Sequence, residues 1–191
     1  LEACRIGLEG KEIGIDIGRI KDRYFTCFAS IGFDASVVST IQEHHKIAWE
    51  RAAFGLQGVR RLFQLSDISR FSVNSESVPE GTTGHSMIIS NIRNYAGFNF
   101  FKGNLSDSRM EMILFRKNTI SSYLTSVAKM FFPRRYGKNH DPHILRTDFR
   151  DMGICSENRL YLQMDGEPTP LEPGEEIKVH ILSRKARFMA P

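Results

Sequence analysis

The sequence predicts a mainly β fold with inserted helices, an antiparallel β-sandwich or an open barrel. Three observations carry that expectation. Short apolar runs alternate with polar residues at a period of two along much of the chain. Turns rich in Gly and Pro separate them at regular intervals. The helical period takes over in two stretches only, and neither a Gly-x-x-x-x-Gly-Lys-Ser/Thr loop nor a Gly-x-Gly-x-x-Gly loop occurs anywhere. With 191 residues, 41% hydrophobic and 25% charged, the chain is one domain with room for a real core.

Ile13, Ile15 and Ile17 alternate with Gly14, Asp16 and Gly18 and predict a half-buried first strand. After the polar turn Lys21-Asp22-Arg23 a second strand is expected over residues 24–30. From 37 to about 65 the period lengthens. Ile41, Ala48, Ala52, Leu56, Val59 and Phe63 fall on one helical face, and Gly55 and Gly58 mark a break or a close approach to the sheet. His44 and His45 point apart at adjacent positions and read as surface residues, as do Arg51, Arg60 and Arg61. Strands resume at 71–73 and 87–89, on either side of the turn-rich loop 79–84, and Met110, Met112 and Leu114 then alternate with Glu111, Ile113 and Phe115. Thr119 suits an N-cap for a helix with the stripe Ile120, Leu124, Val127 and Phe131. Further strands are expected around 143–147, 152–156, 159–164, 177–182 and 186–189. No internal repeat or low-complexity tract is present.

Composition narrows the functional classes. A net charge of +4 is too small to argue for nucleic acid. No run of eighteen apolar residues and no basic-then-apolar leader occurs. Cys4, Cys27 and Cys155 lack zinc-site spacing and read as reduced thiols of a cytosolic protein.

Chemistry concentrates in two segments. In Gln163-Met164-Asp165-Gly166-Glu167-Pro168, Leu160, Leu162 and Met164 share one strand face and Tyr161, Gln163 and Asp165 the other. An extended backbone past Gly166 puts Glu167 on the Asp165 side, with Cα atoms roughly 6–7 Å apart. The alternative is a polar hairpin turn, since Asp-Gly is a common turn dipeptide. In the loop 104–109, Asp107 offers a hard oxygen of the kind Mg²⁺ or Ca²⁺ prefers, and the alternative is a capped turn. Met130-Phe131-Phe132-Pro133 followed by Arg134-Arg135-Tyr136-Gly137-Lys138 suits either interfacial membrane binding or a helix end whose cations complement the dipole. Arg184-Lys185-Ala186-Arg187 is a second basic cluster or a solvated turn, and His140-Asp141-Pro142-His143 reads as a loop.

Four motifs in order connect these segments: Gly32-Phe33-Asp34-Ala35, then Ser90-Asn91-Ile92-Arg93-Asn94-Tyr95-Ala96-Gly97, then Asp107 before an alternating strand, then Asp165-Gly166-Glu167. With the closing Arg187-Phe188-Met189-Ala190-Pro191, they resemble the C-terminal half of the diacylglycerol kinase and sphingosine kinase family, in its bacterial soluble lipid-kinase branch. The resemblance spans roughly residues 10–191. It implies that 1–191 is a single C-terminal β-rich lobe, and that the N-terminal nucleotide-binding lobe with its Gly-Gly-Asp-Gly-Thr motif is absent from this chain. The fragment alone is then expected to be inactive. It implies ATP as co-substrate, a lipid hydroxyl as acceptor, a peripheral membrane association and a cytoplasmic location, with a homodimer left open. Glu167 is the first choice as base and Asp165 its partner, with the roles reversible. Asn91 and Asp34 are substrate-binding candidates, and Mg²⁺ is implied on the Asp107 carboxylate and the carbonyls of Asn104 and Arg109. Ser108 stands where the family usually has Gly, and Phe101 and Gly103 where it has Pro and Ala. Two rivals remain: a non-catalytic membrane- or protein-binding sandwich, and a relative of the nicotinamide-nucleotide kinases.

Overall fold

The computed structural model describes residues 2–33, 35–36, 69–95, 98–131 and 141–190. The helix expected over 37–65, Asp34 and the basic patch 132–138 lie outside them. Helix α1 (Glu2–Glu9) leads into β1 (Lys11–Ile20), β2 (Arg23–Phe25) and β3 (Phe28–Gly32). Then come β4 (Phe71–Asn74), β5 (Thr83–Gly84), β6 (Ser86–Ser90), β7 (Asn94–Tyr95), β8 (Phe98–Asn99) and β9 (Met110–Phe115). Helix α2 (Ile120–Phe131) precedes β10 (Ile144–Phe149), β11 (Asp151–Cys155), β12 (Leu160–Met164), β13 (Glu167–Leu171) and β14 (Glu176–Ala190).

A strand with one apolar face must bury it, and two such sheets can bury theirs against each other. One six-stranded sheet has the order β2-β1-β14-β11-β4-β5 and the other β10-β9-β6-β3-β12-β13, with antiparallel neighbours in both. Both are open, so the sandwich rather than the barrel is realised. Phe25, Ile31, Phe71, Met87, Met112, Phe149, Leu162 and Val179 fill the space between the sheets. A second cluster, built on Ile88, Tyr95, Phe101, Ile113 and Phe115, covers the other face of the second sheet, with Tyr123 and Val127 of α2 packed against it. This explains why all six residues of β9 are buried although alternation predicts half. Glu111 survives there because Arg146 pairs with it and the Lys102 amide donates to it at 2.8 Å.

Thr119 caps α2 as expected, its hydroxyl accepting from the Ser122 amide at 3.3 Å. Of the expected stripe Val127 packs against the sheet, but Ile120 and Leu124 do not. Ile120 and Leu124 are 37% and 48% exposed, whereas Ser122 and Ser126 are buried and Tyr123 stacks on Phe115 at 4.6 Å. Tyr123 thus takes the place against the sheet that the apolar count gives to Ile120 and Leu124. The strand expected over 24–30 is two strands in different sheets, and those expected at 177–182 and 186–189 are one long β14. Edge strand β13 carries Pro168 and Pro170, which removes amide donors from an exposed rim.

Candidate functional site

Residues 26 and 27 carry the chain from the first sheet to the second, and a backbone that leaves one ladder for another strands its amides. The Asp165 carboxylate takes them. Oδ2 accepts from the Thr26 amide at 2.7 Å and the Thr26 hydroxyl at 3.1 Å. Oδ1 accepts from the amides of Cys27 at 3.0 Å and Phe28 at 2.9 Å. In return the Asp165 amide donates to the Phe28 carbonyl at 2.9 Å.

Asp165 and Gly166 have φ of +48° and +93°, and Met164 pairs with Glu167 across the turn. This is a two-residue hairpin with both central residues in the left-handed region, the type I′ geometry that Asp-Gly favours. Buried Gln163 helps to close it, its side-chain oxygen accepting from the Gly166 amide at 2.8 Å. The chain therefore does not stay extended past Gly166, and the two carboxylates diverge. Asp165 turns to the corner. Glu167 stands on the rim, with 73% of its side chain exposed, and pairs with Arg23, which also donates to the Thr169 hydroxyl.

The corner is tied inward through Asn91. Its amide donates to the Cys27 carbonyl at 2.9 Å, and its side-chain nitrogen to the carbonyls of Thr26 at 3.2 Å and Asp16 at 2.8 Å. Because both groups facing that nitrogen are acceptors, the orientation of the amide is fixed. Its Oδ1 is buried and has no hydrogen-bond partner among the described residues.

Asp16 is the residue that sequence reasoning passed over. It is fully buried at the register shift between β1 and β14. Oδ1 accepts from the Arg184 amide at 2.8 Å and Oδ2 from the Ser108 amide at 2.6 Å, while its own amide donates to Leu105 at 2.7 Å. Ser108 and Arg184 have φ of +65° and +47°, so each oxygen holds a residue in a conformation that side chains disfavour. An acid between Ile15 and Ile17 was the available signal, since an unpaired carboxylate cannot be buried there. One continuous set of hydrogen bonds thus links the Asp165 hairpin, Asn91, Asp16 and the loop 104–109.

Within that loop Asp107 makes an Asx turn, Oδ1 accepting from the Arg109 amide at 3.1 Å. Asn104 does the same toward Ser106 at 3.5 Å. Asp107 and the carbonyls of Asn104 and Arg109 are hard oxygens and fit Mg²⁺ in kind. Among the described residues no group of three His, Cys, Asp or Glu stands together, so a cation there rests on one carboxylate, carbonyls and water. Asp34 lies outside the described residues. Beside Glu167, between the edges formed by β2 and β13, a pocket of about 210 Å³ is lined by Ile20, Arg23, Leu162, Met164, Thr169 and Leu171. At the opposite edge of the second sheet, the loop before β10 is an Asx turn as well, with Asp141 Oδ1 accepting from the His143 amide at 3.0 Å.

No protein-family model matches the chain, and no curated protein matches it. Among solved structures it is similar to a diacylglycerol kinase from Bacillus anthracis str. Sterne, with a TM-score of 0.63, 10% identity, and coverage of 100% of this chain and 58% of that one. Two further Bacillus anthracis proteins provisionally identified as diacylglycerol kinases match with TM-scores of 0.66 and 0.64, at 12% and 16% identity. Each is covered over 60% and 59% of its length, and this chain over 100%. The chain therefore spans about 60% of the solved structures it matches and shares their fold. Among the described residues no helix is long and apolar enough to cross a membrane.

Proposed function

We propose that this chain is the acceptor-side lobe of an ATP-dependent lipid kinase, completed by a nucleotide-binding lobe of the same protein. The observation that carries the reading is the division of labour in the Asp165-Gly166-Glu167 hairpin. Asp165 gives both oxygens to the corner and has no capacity left for a substrate proton. Glu167 is the exposed carboxylate of the pair, held by Arg23 alone among the described residues, and sits on the rim beside an apolar pocket. The likeness to diacylglycerol kinase structures supports the class of reaction.

Glu167 then accepts the proton of a lipid hydroxyl as that oxygen bonds to the γ-phosphorus and ADP leaves, giving a lipid phosphate. Arg23 holds the carboxylate in place through their ion pair. Ile20, Leu162, Met164 and Leu171 offer an apolar wall to the acyl portion of the acceptor. Asn91 Oδ1, buried and unsatisfied, accepts from a donor on the bound substrate or an ordered water. Asp34 contacts the head group. Mg²⁺ on Asp107, Asn104 and Arg109 would supply positive charge that orders the loop beside the cleft. Phosphatidylglycerol, diacylglycerol, sphingoid bases and ceramide all present the required hydroxyl.

The test is transfer of labelled γ-phosphate from ATP to a panel of these lipids by the complete protein. Label in one lipid class supports the reading. No label in any lipid, with folded protein and Mg²⁺ present, removes it in favour of a binding module.

A further inference from the structure

The end strands of the two sheets are finished differently. Among the described residues β2 and β5 are three and two residues long, and β13 carries Pro168 and Pro170. Short or proline-bearing edges resist pairing with another chain. β10 has neither protection, since its six residues contain no proline and pair with β9 in unbroken register.

The direction of its backbone groups follows from one bond. The Arg116 amide donates to the His143 carbonyl at 2.8 Å, just before the first pair of that ladder, Ile144 with Phe115. Antiparallel strands bond at every second pair, so Leu145, Thr147 and Phe149 turn their backbone groups to β9. Arg146 and Asp148 turn theirs to the open rim, where the Asp148 carbonyl takes a 3.4 Å bond from the Thr147 hydroxyl. Their side chains lie along the outer face, Arg146 over the Phe101 ring. Arg146 bonds Glu111 through Nε and the Phe100 carbonyl through Nη2, and Asp148 meets Lys102 through Oδ2. Among the described residues Nη1 and Oδ1 are left over, and the two side chains stay 41% and 35% exposed.

We propose that this rim joins two copies of the chain, β10 against β10, antiparallel about a two-fold axis at Thr147. Rim-facing groups must meet rim-facing groups, so the axis passes through a residue and not between two. An axis at Arg146 sets arginine against arginine, and one at Asp148 sets acid against acid. An axis at Leu145 puts Arg146 opposite Ile144. At Thr147 each Arg146 faces Asp148 of the other copy. That pair exchanges both backbone bonds, and Nη1 and Oδ1 add an ion pair beside them. The two second sheets then become one continuous sheet. The interface goes beyond the kinase reading and does not depend on it. Built on one short strand it is small, with dissociation in the micromolar range.

Sedimentation velocity of the complete protein from about 1 to about 100 µM reads the association, and a monomer–dimer equilibrium is the expected result. Across the axis a non-hydrogen-bonded pair holds its Cα atoms about 4.5 Å apart, within disulfide reach. Thr147→Cys should therefore form a disulfide-linked dimer under mild oxidation, beyond any seen in the wild type. Ile144→Cys, far from its counterpart, should not. Asp148→Arg should weaken association about tenfold or more by facing Arg146 with a like charge. Lys102→Gln loses the same internal ion pair without touching the rim and should leave association in place. A monomer throughout that range, a Thr147→Cys protein that stays unlinked, or association unchanged in Asp148→Arg overturns the proposal.

Discussion

At the scale of single residues, two acids two positions apart have opposite fates because the turn between them reverses the chain. Asp165 accepts three backbone amides and a hydroxyl. Hydrogen bonds to charged groups and the cost of orphaned donors put Asp165→Ala at about 3 kcal/mol or more of lost stability, measured by denaturant unfolding. Glu167, mostly exposed and paired with one arginine, should cost well under about 1 kcal/mol when replaced by Gln. Asp141 makes a third case. Burial would raise its carboxyl, but the His143 amide, the Ser126 hydroxyl and the Lys129 ammonium 3.5 Å away hold it below the ordinary aspartate range. A depressed folded value means that its stabilisation is present at neutral pH and lost as pH falls through the folded pKa. Thermal stability should therefore drop as the pH goes below about 4, and Asp141→Asn should be less stable at neutral pH yet flatter across that window.

At the scale of elements, the strands were legible and their junctions were not. Period-two alternation places β1, β9, β11 and β12 near their observed positions. It could not place β13, where Pro168 and Pro170 lower strand propensity although an edge tolerates them. Nor could it divide β2 from β3, because the switch of sheet at Thr26 and Cys27 is stabilised by Asp165, 137–139 residues away. The helix face of α2 was misread for a related reason. A stripe count favours Ile120 and Leu124, whereas Tyr123 and Val127 make the contact with the second cluster. The Asp-Gly turn is where local chemistry and fold agree, and Gly166 at φ +93° has nothing within 4 Å of an added Cβ. Gly166→Ala should thus cost about 1 kcal/mol through backbone strain alone, without loss of the hairpin, as read from its midpoint of unfolding and unchanged amide shifts elsewhere.

At the scale of the whole molecule, a sandwich of two open sheets brings residues from four distant segments to one polar network, running from the hairpin through Asn91 and Asp16 to the Asp107 loop. The sequence named three of those segments by motif. Asp16 stayed hidden because a buried acid in a strand differs from an exposed one only through partners such as Ser108 and Arg184, 92 and 168 residues away. The fold itself is that of structures identified with diacylglycerol kinases, at identities of 10–16%. Such a likeness shows the fold alone, and the proposed base is Glu167 on the rim. The most direct measurement is single-turnover transfer of γ-phosphate to lipid in the complete protein, comparing wild type, Glu167→Gln and Asp165→Asn with their unfolding midpoints. The account expects Glu167→Gln to lose transfer with its midpoint unchanged, and Asp165→Asn to lower the midpoint. Near-normal transfer in Glu167→Gln would contradict it.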